Sequence, residues 1–175
     1  MKEIETISIR PAEARDYPDI LRLNAANVSV LAPMDGQIIE RFAEWAELFW
    51  VAEAKGEFAA FLIALREGVG NYWSENYKWF SARYPKFLYV DRIVLDETCR
   101  GLGRGRRLYE LVAAHARNTG VPVVTAEIDT EPVYNDASLR FHKAMGFREI
   151  GTQYVKDGTI KVSLQAWKLD TPGKN

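Results

Sequence analysis

Hydrophobic and polar positions change period along the chain, and each change predicts an element. Thr6-Ile7-Ser8-Ile9-Arg10 alternates as a short strand that Pro11 ends. Asp16, with Pro18 in the first turn, caps a helix through Ile20, Leu21 and Leu23 that stops near Val28. Leu31-Ala32-Pro33 is a break, after which Asp35 caps a second helix with Ile38, Phe42, Trp45 and Phe49 at helical spacing. Trp50 to Ala54 and Phe58 to Leu65 flank Lys55-Gly56-Glu57 and read as a hairpin. The segment from Asn71 to Pro85 carries six aromatics (Tyr72, Trp73, Tyr77, Trp79, Phe80 and Tyr84) and is longer than a hairpin turn needs. A short helix over the sheet, an interface patch and a lid are all open to it.

The densest pattern runs from Phe87 to Thr119. Phe87 to Asp96 is rich in β-branched and aromatic residues and reads as a strand buried on both faces, central to its sheet. A basic glycine-rich turn, Arg100 to Arg107, follows it. Leu108, Leu111, Val112, His115 and Ala116 then recur at helical spacing until Asn118, Gly120 and Pro122 stop the helix. Val121 to Asp129 is the next strand, parallel to Phe87 to Asp96 because a helix joins them, with Glu127 and Asp129 on one face. Asn135 to Met145 is a helix with Asn135, Ser138 and His142 on a polar stripe and Ala137, Phe141, Ala144 and Met145 on an apolar face. Phe147 to Val155 and Thr159 to Leu169 flank Lys156-Asp157-Gly158 as a terminal antiparallel hairpin, and a frayed tail is expected from Asp170.

Composition narrows the function. A chain of 175 residues, 47% hydrophobic, suits one compact domain spanning 1–175. A net charge of -1 offers no general basic surface for nucleic acid. No run of about 18 apolar residues occurs and Met1-Lys2-Glu3 opens no signal peptide, so no membrane span and a cytoplasmic location are expected. The single cysteine, Cys99, sits in what reads as a flexible turn. It can form no internal disulfide, and with only His115 and His142 no metal site is expected.

Candidate chemistry concentrates at the basic turn. Gly101, Gly103 and Gly105 leave backbone amides unshielded at a helix N-terminus, where free donors and the helix dipole favour an anion. Arg100, Arg104, Arg106 and Arg107 surround them. Arginine in a first helical turn opposes the dipole by about 0.3–1 kcal/mol, and a bound polyanion reverses that sign. No Lys-Ser or Lys-Thr follows, as a P-loop requires, and Arg106 stands where a dinucleotide fingerprint has its third glycine. Arg100-x-x-Gly103-x-Gly105, after a strand and opening a helix, instead resembles the pyrophosphate-binding motif of the GNAT superfamily of acyl-CoA-dependent N-acyltransferases. Asn135 to Phe147 is similar to that family's last helix, with His142 where the family usually has a tyrosine.

The resemblance covers Ile7 to Leu169 and implies an α/β fold: a mixed, mostly antiparallel sheet of about seven strands flanked by helices, with one splayed parallel pair. It implies acetyl-CoA as co-substrate, with backbone groups of Ile93, Val94 and Leu95 along the pantetheine arm. Arg100, Gly101, Leu102, Gly103, Arg104, Gly105 and Arg106 would hold the pyrophosphate, with Asn135, Ser138 and His142 near the arm. Residues near Asn27 to Asp35 would wall the acceptor site. The partners implied are acetyl-CoA and an amine, either a small molecule or a peptide N-terminus, and a homodimer stays open. An amine must attack as the neutral species, which favours a general base. Glu127 and Asp91, carboxylates on central strands, are the candidates, each also explicable as half of an ion pair with an arginine other than Arg92, which strand alternation turns to the face opposite Asp91. His142, in place of the tyrosine that the resemblance assigns to protonating the departing thiolate, is a candidate acid for that step or, alternatively, a base. The alternative to an N-acetyltransferase is an inactive acyl-CoA-binding module working through partner contacts.

Overall fold

A computed structural model describes residues 7–170. The expected strand start at Thr6 and all of the expected tail but Asp170 lie outside those residues. Seven strands form one sheet: β1 (Ile7–Pro11), β2 (Leu48–Ala54), β3 (Glu57–Arg66), β4 (Leu88–Leu95), β5 (Val123–Glu131), β6 (Arg148–Val155) and β7 (Ile160–Lys168). Their order is β1-β2-β3-β4-β5-β7-β6. The helices are α1 (Tyr17–Ala25), α2 (Gly36–Trp45), α3 (Glu75–Ser81), α4 (Arg104–Asn118) and α5 (Asp136–Met145). The described chain divides into two compact units, residues 7–65 with 90–108 and residues 66–89 with 109–170.

In the first unit, β1 pairs antiparallel with β2, and β2 with β3 through the Lys55-Gly56 turn. Asp35 caps α2 as expected, accepting from the amides of Gln37 and Ile38. Asp16 does not cap α1: its carboxylate is held by Arg10 at 2.8 Å and by the Glu13 amide at 2.7 Å. Arg10 thereby draws Asp16 below the ordinary carboxylate range, against the opposing effect of burial. α1 ends at Ala25, short of Val28, because the side chains of Asn24 and Asn27 bond to the carbonyls of Ala32 and Leu23 and turn the chain. Phe49, expected on the second helix, belongs to β2, where it pairs with Ile63 and stacks on Tyr17. The buried positions of α2 are Ile39 and Phe42.

The second unit is built on β5, which pairs parallel with the start of β4 at Leu88↔Val124 and Tyr89↔Thr125 and antiparallel with β7. β7 lies between β5 and β6, and along it Ser163 and Gln165 are buried as well as Val162, Leu164 and Ala166. This strand is therefore buried on both faces, although Ile160, Val162, Leu164 and Ala166 alternate with polar residues along it. The buried stripe of α4 is Leu108, Tyr109, Val112, Ala113 and Ala116, rotated from the expected one, with Leu111 and His115 half-buried. On α5, Ala137 and Ala144 are exposed, while His142 and Met145 are buried. The polar stripe therefore turns inward at its C-terminal end.

Aromatic residues account for the longest connection in this unit. Ser74 caps α3, and Tyr72, Tyr77 and Phe80 pack around Tyr89 with ring centroids 5.6–6.5 Å away. The segment is a short helix with buried rings, one of the three roles open to it. Trp79 covers Gly151, where a Cβ would meet its ring at 2.6 Å, and the Arg83 guanidinium stacks on the same indole, 3.3 Å from its centroid.

Gly146 closes α5 in the left-handed region at φ +113°, and a Cβ there would lie 2.8 Å from Trp167 Nε1. Gly146→Ala therefore combines backbone strain with overpacking and is expected to cost about 2 kcal/mol. A thermal melt should show a fall of about 4–8 °C.

Candidate active site

The basic turn is assembled in the first unit. Asp96 accepts from the Thr98 amide at 3.0 Å and the Thr98 hydroxyl at 2.7 Å, fixing a single 3-10 turn over Glu97–Cys99. Cys99 is buried in it, contrary to the flexible turn expected. Gly101 and Gly103 both adopt φ +75°, and a Cβ at either would meet nothing within 4 Å. The turn thus needs glycine for its backbone conformation and leaves open space beside it. The Gly103 carbonyl accepts the first helical bond, from Arg107 at 3.0 Å, so the amides of Arg104, Gly105 and Arg106 precede the bonded ladder of α4. Gly105 lies in that first helical turn, not in the loop. Arg104 is buried, and Arg106 and Arg107 are exposed.

Arg100 ties this turn to two neighbours. Its Nε donates to the Leu95 carbonyl at 3.3 Å and its Nη2 to Asn27 Oδ1 at 3.1 Å. Asn27 in turn donates to the Leu23 carbonyl at 2.8 Å. The end of β4, the basic turn and the segment after α1 are therefore joined by side-chain hydrogen bonds.

Asp91 and Arg92 form a buried pair in the same unit. Strand alternation predicts opposite faces for them, yet Arg92 Nε reaches Asp91 Oδ2 at 2.7 Å, with side-chain exposures of 6% and 5%. The long arginine stem allows it. Arg92 Nη1 also donates to Asn24 Oδ1 at 2.8 Å and to the Ala32 carbonyl at 3.2 Å, and its guanidinium lies 5.0 Å from the Phe42 ring. This arrangement anchors the chain after α1 to β4, and the partner of Asp91 is its neighbour Arg92, not another arginine as expected.

The second unit holds the other candidates. Glu127 Oε1 accepts from the Tyr89 hydroxyl at 2.8 Å. Two residues on, burial pushes the Asp129 carboxyl up, opposed by Lys156. Asn135 Oδ1 caps α5 at the Ser138 amide, 3.2 Å away. His142 is 6% exposed, and its Nδ1 lies 2.8 Å from the Ser138 carbonyl, an acceptor only. Nδ1 therefore carries the hydrogen, and Nε2 accepts from the Tyr109 hydroxyl at 2.8 Å. Burial lowers the His142 pKa, against the raising effect of the Ser138 carbonyl. Burial, with a smaller contribution from Glu127, raises that of Tyr109. Tyr89, Tyr109, Arg92 and Asn24 escape a reading of the sequence because aromatic and buried polar positions look like core. The shared face of Tyr89 and Asp91, two residues apart on β4, is the signal that points to the first of them.

A profile of the acetyltransferase (GNAT) family matches residues 8–147, running through the basic turn and α5. The chain belongs to this family. It is an acyltransferase of the acetyl-CoA-dependent kind. No curated protein matches this GNAT chain significantly in sequence. Among solved structures it resembles the ribosomal-protein-S18-alanine N-acetyltransferase from Escherichia coli, at 19% identity over 97% of this chain and 98% of that one, with a TM-score of 0.70. NAA60 from Arabidopsis thaliana, in complex with a bisubstrate analogue, aligns at 17% identity over 94% and 99% of the two chains, TM-score 0.73. An N-acetyltransferase from Staphylococcus aureus Mu50 aligns at 23% identity over 94% and 99%, TM-score 0.66. At these identities the likeness establishes a GNAT fold. Among the described residues no helix is long and apolar enough to cross a membrane.

The His142 environment makes the stability of this GNAT domain depend on pH. The folded state disfavours the imidazolium, so the stabilisation is complete above the unfolded pKa of about 6.5 and is lost as pH falls toward the lower folded value. His142→Gln keeps an acceptor for Tyr109 and removes the titration. Urea unfolding from about pH 7.5 to about pH 5 should show wild type losing stability relative to this variant below about pH 6.5.

Proposed function

We propose that this protein is an N-acetyltransferase that moves the acetyl group of acetyl-CoA to a primary amine by direct attack, without a covalent enzyme intermediate. The acceptor is a small amine, an amino acid derivative or a peptide N-terminus, and the protein works in the cytoplasm as one catalytic domain. The observation that carries this reading is the turn after β4. Two glycines at φ +75° with open space beside them lead into a helix whose first three amides precede its bonded ladder, among four arginines. That arrangement suits the CoA pyrophosphate. Ile93, Val94 and Leu95 serve the pantetheine arm through backbone groups.

In the reaction the amine nitrogen forms a bond to the acetyl carbonyl carbon, and the tetrahedral intermediate collapses with cleavage of the carbon–sulfur bond. The amine proton passes to Glu127, through water where the amine is distant. Glu127 is assigned this role over Asp91, whose carboxylate is committed to Arg92. His142 is neutral with its lone pair toward Tyr109, so it acts as a fixed acceptor for that phenol and not as a standing imidazolium. The leaving thiolate takes its proton from solvent.

Incubation with acetyl-CoA and a panel of amines, followed by free-thiol detection, tests the reading. Thiol release that depends on one class of amine is expected. Tight acetyl-CoA binding without turnover across the panel would instead return the protein to an acyl-CoA-binding module. Gly103→Val should lower acetyl-CoA affinity at least about tenfold by calorimetry, because a β-branched residue resists φ +75° and shields the helix N-terminus. Unchanged affinity in a folded variant would remove the phosphate assignment.

A further inference from the structure

We propose that Tyr89, immobilised by the aromatic segment around α3, is a positioning residue that orients Glu127 and holds it as a ready proton acceptor. The proposal rests on the reading of Glu127 as the base and assigns a task to the aromatic segment. Tyr89 is fully buried, and its hydroxyl donates to Glu127 Oε1 at 2.8 Å. A phenol of pKa about 10 beside a carboxylate of pKa about 4 keeps its proton, so the direction of the bond is fixed. Such a charge-assisted bond favours the ionised carboxylate and restricts its rotation.

The ring has no freedom to leave. Tyr77 and Phe80 pack against it at 5.6 and 5.9 Å between centroids, Tyr72 at 6.5 Å, and Ser74 Oγ lies 3.5 Å from the same hydroxyl. These side chains are themselves clamped. The Tyr77 hydroxyl donates to the Arg66 carbonyl at 2.7 Å and accepts from the Val69 amide at 3.0 Å, while Gln153 on β6 donates to Asn76 at 2.7 Å. An aromatic shell does this at low entropic cost, since each ring has two side-chain torsions to order. Tyr89 from β4 and Tyr109 from α4 act on Glu127, Asp129 lies on the same face of β5, and the uncharged Leu164 is opposite it on β7.

Tyr89→Phe keeps the ring and removes only the donor. With carbon-13 in the glutamate side chains, NMR titration should show the Glu127 carboxyl moving up by about one pH unit in the variant, assigned by its absence in Glu127→Gln. The acidic limb of kcat/KM, measured with acetyl-CoA and the amine that gives thiol release in the panel, should move up by the same amount. Phe80→Leu, which loosens the shell, should give a smaller shift in the same direction. A Glu127 titration unchanged in folded Tyr89→Phe overturns the positioning role while leaving the base intact. Full turnover by Glu127→Gln overturns the base reading itself, whatever Tyr89→Phe does. The NMR measurement needs no acceptor, so it decides the positioning role even where no amine is turned over.

Discussion

The parallel pairing of Leu88 with Val124 and Tyr89 with Thr125 is the constraint from which the rest follows. Parallel strands cannot be joined by a tight turn, so the chain must leave the end of β4, cross as a helix and return to the start of β5. That crossover begins with a helix N-terminus at the carboxyl end of a central strand. Its leading amides and the positive end of the helix dipole are thereby delivered where the chain has just left the sheet. Gly101 and Gly103 make the turn tight enough, and arginines that would otherwise oppose the dipole become favourable once an anion is held there.

Several buried polar groups are satisfied by partners distant in the sequence. Arg92 is buried with Asp91, Asn24 and the Ala32 carbonyl as partners, and the chain after α1 is anchored as a consequence. A buried charge of this kind is costly to strand, at about 3–5 kcal/mol for loss of one partner, so these residues behave as a unit. His142 follows the same logic at lower cost: as a neutral imidazole with one donor and one acceptor it satisfies Ser138 and Tyr109 together. Glu127 and Tyr89 add a third case, in which the polar pair lies beside an aromatic shell.

Local features of the chain are legible in its sequence. The Asp35 cap, the Lys55-Gly56 hairpin turn, the basic turn and the Asn135 cap depend on a few consecutive residues, whose dihedral and hydrogen-bonding preferences act at short range. Expectation and fold part company where a distant partner overrides such a preference. Asp16 resembles a cap but is claimed by Arg10, Phe49 continues a helical spacing but is captured by β3, and Ala137 and Ala144 suggest an apolar face that the fold leaves exposed.

By itself the sequence determined the crossover unit, its glycine-dependent turn and membership of the GNAT family, because all three are written in spacing and residue type over short stretches. Tertiary structure alone decided which side chains meet. Tyr89 and Glu127 are 38 residues apart, Arg92 and Asn24 are 68 apart, and Tyr109 and His142 are 33 apart. No local preference specifies such pairs. They follow from how the strands and helices pack, and burial then makes each pairing obligatory by removing water as the alternative partner.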